Sequence, residues 1–129
     1  MNILDENILK NQRQLLRSWR IRVRQIGHDL GHKGLQDEEI TRLLLRLRRP
    51  TFFTRDLGFY DRRLCHARYC VVCLAVEKYE AAFFVRRLLS HRTLNTQTKR
   101  MGTVIRVTHR GLSVWRLRLE EEVSLTWDE

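Results

Sequence analysis

The chain has 129 residues and a mass of 15.6 kDa, the size of a single domain that buries a core without disulfide or metal staples. Its 43% apolar content and single proline exclude a disordered chain, and no window approaches the ~18 uncharged apolar residues of a membrane helix. Twenty-five Lys and Arg against 15 Asp and Glu leave a formal charge of +10, nearly all of it arginine, whose planar fork matches phosphate oxygens and points to a nucleic-acid partner.

The arginines are scattered, so a solvated surface accounts equally well for any one of them. Three cysteines cannot all pair internally, and Asp5 and Glu6 interrupt the one early apolar run. A soluble protein in a reducing, cytoplasmic setting is therefore expected, with no membrane partner.

In chain order, residues 2–4 predict a short strand that runs out into Asp5-Glu6-Asn7. Residues 8–18 carry Ile8, Leu9, Leu15 and Leu16 at helical spacing, followed by Trp19. Ile21 and Val23 alternate with Arg20, Arg22 and Arg24, the period of a half-buried strand. Gly27, Gly31 and Gly34 mark a loop that also holds His28 and His32. From Asp37 onward, Ile40, Leu43, Leu44 and Leu47 fall on one helix face, acids occupy the first turn, and Pro50 closes the helix.

Residues 51–54 predict a second strand that ends beside Asp56. Residues 61–66 read as a polar connection, 69–76 as a central parallel strand, and 79–89 as a helix burying Ala81, Phe84, Val85, Leu88 and Leu89. Residues 103–109 and 112–119 alternate around Arg110-Gly111 as a hairpin at the sheet edge. The last stretch, 119–129, reads as an acidic tail that covers basic surface, exchanges as a strand in a dimer, or frays; Trp127 favours docking. Strands alternating with helices predict one α/β domain over 1–129, with a mainly parallel sheet and a C-terminal β-hairpin.

Function in such a sheet lies beyond the carboxyl ends of the strands, where Asp5 and Asp56 fall. Three segments, Ile3-Leu4-Asp5-Glu6-Asn7, Gly34-Leu35-Gln36-Asp37-Glu38-Glu39-Ile40 and Phe53-Thr54-Arg55-Asp56-Leu57-Gly58-Phe59, together resemble the short PIN-like domains related to VapC-type toxins. The resemblance covers the order of elements to roughly residue 118 and implies a PIN-like three-layer α/β/α fold. It further implies a Mg2+- or Mn2+-dependent ribonuclease, the toxin of a toxin–antitoxin pair, held by a small antitoxin and assembling as a homodimer. Carried over by position, Asp5 is a metal ligand, Asp37 or Glu38 supplies the second acid, and Asp56 is the third, with Thr54 supporting a metal-bound water or a phosphate. Asp5, Glu38, Asp56 and Thr54 are thus the catalytic candidates. One position departs: Gly58 stands where many relatives have a further acid, and Asp61 is the substitute one turn away.

A hard cation on carboxylates lowers the pKa of bound water and neutralises charge developing on a phosphodiester. Lys10, Arg13, Lys33 and Arg55 are candidates for flanking phosphates. Tyr60 is a candidate for stacking a base, whereas Phe59 reads as core. Singly, Asp37 reads better as a helix cap. The spacing of Cys70 and Cys73 suits zinc, yet on a strand the two point to opposite faces and read as buried thiols. Two alternatives remain: a catalytically weak or inactive PIN-like module binding RNA or a protein, and a DNA-binding regulator, against which no helix pair has the short turn of a helix-turn-helix.

Overall fold

A computed structural model of the chain describes residues 1–128; residue 129, at the end of the expected domain and tail, lies outside the described residues. The elements are β1 (Asn2–Leu4), α1 (Lys10–Ser18), β2 (Arg24–Gln25), α2 (Asp37–Arg46), β3 (Thr51–Thr54), β4 (Cys70–Leu74), α3 (Ala81–Ser90), α4 (Gln97–Arg100), β5 (Thr103–Val107), β6 (Gly111–Arg116) and β7 (Val123–Thr126). Short 3-10 turns cover Leu57–Phe59, Arg62–Leu64 and Lys78–Glu80. Among the described residues no helix is long and apolar enough to cross a membrane.

One seven-stranded sheet runs in the order β2-β1-β3-β4-β5-β6-β7. The first five strands run parallel, β6 pairs antiparallel with β5, and β7 antiparallel with β6, so the fold is α/β with a mostly parallel sheet. Side chains alternate between two apolar layers. Leu4, Phe53, Val72 and Ile105 pack with Leu16 of α1 and with Ala82, Val85 and Leu88 of α3. Ile3, Phe52, Val71 and Val104 pack with Ile40, Leu43 and Leu44 of α2. The residues of β3 and β4 are buried throughout, as parallel strands covered on both faces must be.

The helix starts are satisfied in two ways, one local and one tertiary. A capping box between Gln36 and Glu39 opens α2, and Asp37, Glu38 and Glu39 occupy its positive end. The first turn of α3 is completed from elsewhere, since the buried Gln12 Oε1 of α1 accepts the Ala82 amide at 2.9 Å.

The strand expected over 20–24 is corrected to Arg24–Gln25. Residues 19–21 instead finish α1: the amides of Trp19 and Ile21 bond back to Leu16 O, and Arg20 takes a left-handed φ of 63°. That is the bonding pattern of a glycine C-cap with arginine in the glycine's place. The predicted hairpin forms, but it is not the edge. The expected tail adds β7 to β6 in register Leu112↔Leu125, so it becomes part of the sheet. Trp127 docks as expected, donating through Nε1 to Thr108 O at 2.8 Å, while His91 Nε2 bonds Thr126 O at 2.8 Å.

Candidate functional site

The chain lays β2 on one side of β1 and then crosses to place β3 on the other. This is the point at which an open α/β sheet leaves a crevice beyond its strand ends. The Asp5 amide continues the ladder to Phe53 O at 2.8 Å, which sets Asp5 beside Thr54. Thr54 is fully buried and its hydroxyl is the hub. Oγ1 donates to Asp5 Oδ2 at 2.6 Å and accepts from the Asp56 amide at 2.9 Å and from Asn7 Nδ2 at 3.2 Å. The Asn7 Oδ1 accepts the Arg55 amide, so the two strand exits are laced together.

Asp5 is only 5% exposed. Burial pushes its carboxyl above the ordinary range; the Thr54 hydroxyl and the Glu6 amide oppose the shift, while the Glu6 and Asp56 carboxylates add to it. An anion crowded by two others and largely stripped of water is relieved by a cation. Mg2+ is commonly held by one or two carboxylates, with its remaining positions filled by waters and substrate phosphates. Asp5 and Asp56 fit that mode, since both are hard oxygen donors and Asp56 is exposed to the incoming solvent shell.

The remaining acids do not join them. Among the described residues no three His, Cys, Asp or Glu side chains form a group able to hold a metal ion. Asp37 and Glu38 stay exposed in the first turn of α2. Asp61 is taken by Arg63, whose Nη2 lies 2.7 Å from Oδ2 and whose guanidinium holds the carboxyl below its usual range. An ideal Cβ on Gly58 would lie 3.0 Å from Asp56 Oδ1. That oxygen already caps the 3-10 turn through the Gly58 amide, so a side chain at this position would crowd the cap.

Three of the basic candidates converge. Lys10, Arg13 and Lys33 line one cleft of about 270 Å3 together with Glu6, Gln25 and His28. Lys10 and Lys33 are exposed. Arg13 is buried and donates to Gln25 Oε1 at 2.5 Å, and Gln25 Nε2 in turn bonds the carbonyls of Asp5 and Ile8. Arg13 therefore positions the strand exit. Arg55 is half-tied as well, through Nε and Nη2 to Val76 O at 3.2 Å each. The Tyr60 hydroxyl donates to Glu122 Oε2 at 2.6 Å, and Arg106 lies over its ring.

Asn7 and Gln25 were not among the expected site residues. Both work through partners far away in the chain, and no spacing in the sequence signals them. Cys70 and Cys73 fall in opposite apolar layers as the strand period predicts, and burial pushes both thiols up to about 12. No protein-family profile, curated protein or solved structure matches the chain.

Proposed function

We propose that the protein is a metal-dependent endoribonuclease with a PIN-like three-layer α/β/α fold, cutting RNA at the Asp5–Thr54–Asp56 site, and the toxin of a toxin–antitoxin pair. The observation that carries this reading is the buried Asp5 carboxyl, raised in pKa and tied through Thr54 to Asp56 at the sheet's crossover. Bound Mg2+ or Mn2+ would acidify a coordinated water and offset negative charge on the phosphodiester. Asp5 and Asp56 would hold the ion; Thr54 and Asn7 would keep the Asp5 carboxylate aimed. Lys10, Lys33 and Arg55 would draw in the flanking phosphates, which the carboxylates alone would repel. Asp37, Glu38 and Asp61 take no part in this proposal.

The test is a purified-protein assay on end-labelled RNA with Mg2+ or Mn2+. Cleavage is expected and should vanish with EDTA, with Asp5→Asn and with Asp56→Asn; cleavage persisting in any of the three sinks the mechanism. The diversion of Asp61 to Arg63 favours one other reading, a PIN-like module that binds RNA or a protein without cutting. Binding without cleavage under every metal condition would select it.

A further inference from the structure

The sheet carries the register of the site outward. Thr54 pairs with Cys73, Cys73 with Arg106, Arg106 with Ser113 and Ser113 with Ser124. Thr54, two residues after Phe52, and Cys73 lie on the α2 side of the sheet, and the paired residues continue that row on the same side. Past β4 this face becomes polar and accessible: Arg106 and Ser124 are exposed and Ser113 half-buried. Tyr60 leans into the row, with Arg106 Cζ 5.7 Å from its ring centre. Further along β6, on the same face, Trp115 is covered by Arg62 at 5.4 Å. Beside it opens a cleft of about 470 Å3 whose lining includes Arg62, Arg63, Arg116, Arg118 and Glu120.

Among the described residues, Arg62, Arg106, Arg116 and Arg118 make no ion pair. The one acidic group seated on the row is Glu122, which accepts the Tyr60 hydroxyl at 2.6 Å. Aromatic rings beside guanidiniums that have no carboxylate partner are the surface on which bases stack and backbone phosphates pair, once the arginines lift off the rings. A duplex hides its base faces and cannot use the rings.

We infer that this open sheet face, from Arg106 and Tyr60 to the cleft at Arg62 and Arg118, is a track for single-stranded RNA leading to the Asp5–Asp56 site, with Glu122 occupying a phosphate position on it. The inference rests on the ribonuclease reading for its direction, but not for its binding chemistry. Arg62 would swing off the Trp115 ring to take one phosphate and Arg118 would take another, and Tyr60 and Trp115 would take bases. Glu122 and the neighbouring Glu120 and Glu121 must be displaced by the strand, so the acidic stretch sets a threshold that a short or weakly charged ligand does not cross.

The experiment is fluorescence anisotropy of the full chain with a fluorescein-labelled, unstructured oligouridine of about 12 nucleotides, in EDTA so that binding is read without cleavage. Arg62→Gln with Arg118→Gln is expected to weaken binding about tenfold near 0.1 M salt and to flatten the log K against log salt slope by about 1.4, the share of two phosphate contacts on a single strand. Glu122→Gln is expected to tighten binding. Binding is read in EDTA and cleavage in a separate assay with Mg2+, so a failure of the nuclease reading shows in the cleavage assay and leaves this result untouched. Circular dichroism verifies folding of each variant. Unchanged affinity and slope in the double arginine variant overturn the inference, as does equal competition by duplex RNA. Binding of a glutamate-rich peptide, but not of RNA, through the same arginines would assign the track to an acidic protein and overturn it too.

Discussion

Replacing Thr54 by valine keeps the shape of a fully buried side chain and deletes its hydroxyl. The Asp5 carboxylate then loses a 2.6 Å donor, a charge-assisted bond of about 1.5–3 kcal/mol. The Asp56 amide and Asn7 Nδ2 lose their acceptor, which adds about 1 kcal/mol after solvent replaces part of it. The combined loss of about 3 kcal/mol lowers Tm by roughly 10 °C for a chain of this size. The loss has a definite pH dependence. Burial already holds the folded Asp5 pKa above its unfolded value, so the stability linked to its protonation is present below about pH 4 and is lost as pH rises through the folded pKa. The Thr54 hydroxyl lowers that pKa; without it the folded pKa climbs and the loss at neutral pH deepens. Thermal unfolding followed by circular dichroism should therefore show a large Tm drop for Thr54→Val at pH 7 and a clearly smaller one at pH 3.5. An unchanged Tm at pH 7, or an equal drop at both pH values, refutes the reasoning.

Mg2+ should raise the Tm of the wild type at pH 7 and raise it less at acid pH, where Asp5 is protonated, and much less in Asp5→Asn; equal shifts in all three place the ion elsewhere. Arg100 is 4% exposed and donates to Thr51 Oγ1 and Leu94 O, so Arg100→Met should cost about 2–4 kcal/mol in urea unfolding by orphaning both acceptors. Gly111→Ala sets a Cβ 2.5 Å from Leu125 O; β7 should detach, seen as lost hydrogen-exchange protection at Val123–Thr126 while β3 and β4 stay protected. With both buried thiols near 12, a thiol reagent under native conditions should modify Cys65 alone, and rapid labelling of a second cysteine counts against the burial of the central strand.

The parts of the fold written in local pattern are legible in the sequence. Residues 51–54 are bracketed by Pro50 and Asp56, and β3 forms there; the leucine spacing from Ile40 to Leu44 and the acidic first turn place α2. The strand expected at 20–24 fails because the end of α1 is capped by a left-handed arginine at residue 20 in place of the usual glycine. Residues 123–126 do alternate apolar and polar, but their pairing with β6 of the same chain is a tertiary contact that no local pattern fixes. At the site, the strand-ending aspartates could be read directly. The hydroxyl that links them joins residues 49 apart, and the pairing of Asp61 with Arg63 depends on a two-residue geometry that spacing does not distinguish from a metal ligand.

The register of β1 on β3 is a ruler for the chemistry. Ile3 and Leu4 pair with Phe52 and Phe53 across the ladder and send alternate side chains into opposite layers. Sliding one strand by a single residue would drive both apolar pairs to the wrong side. The separation of Asp5 from Asp56 is therefore guarded by hydrophobic residues that lie outside the site. A volume change at Phe52 or Phe53 would be felt as a displacement of the two acids, so under the ribonuclease proposal loss of cleavage would precede any measurable loss of fold.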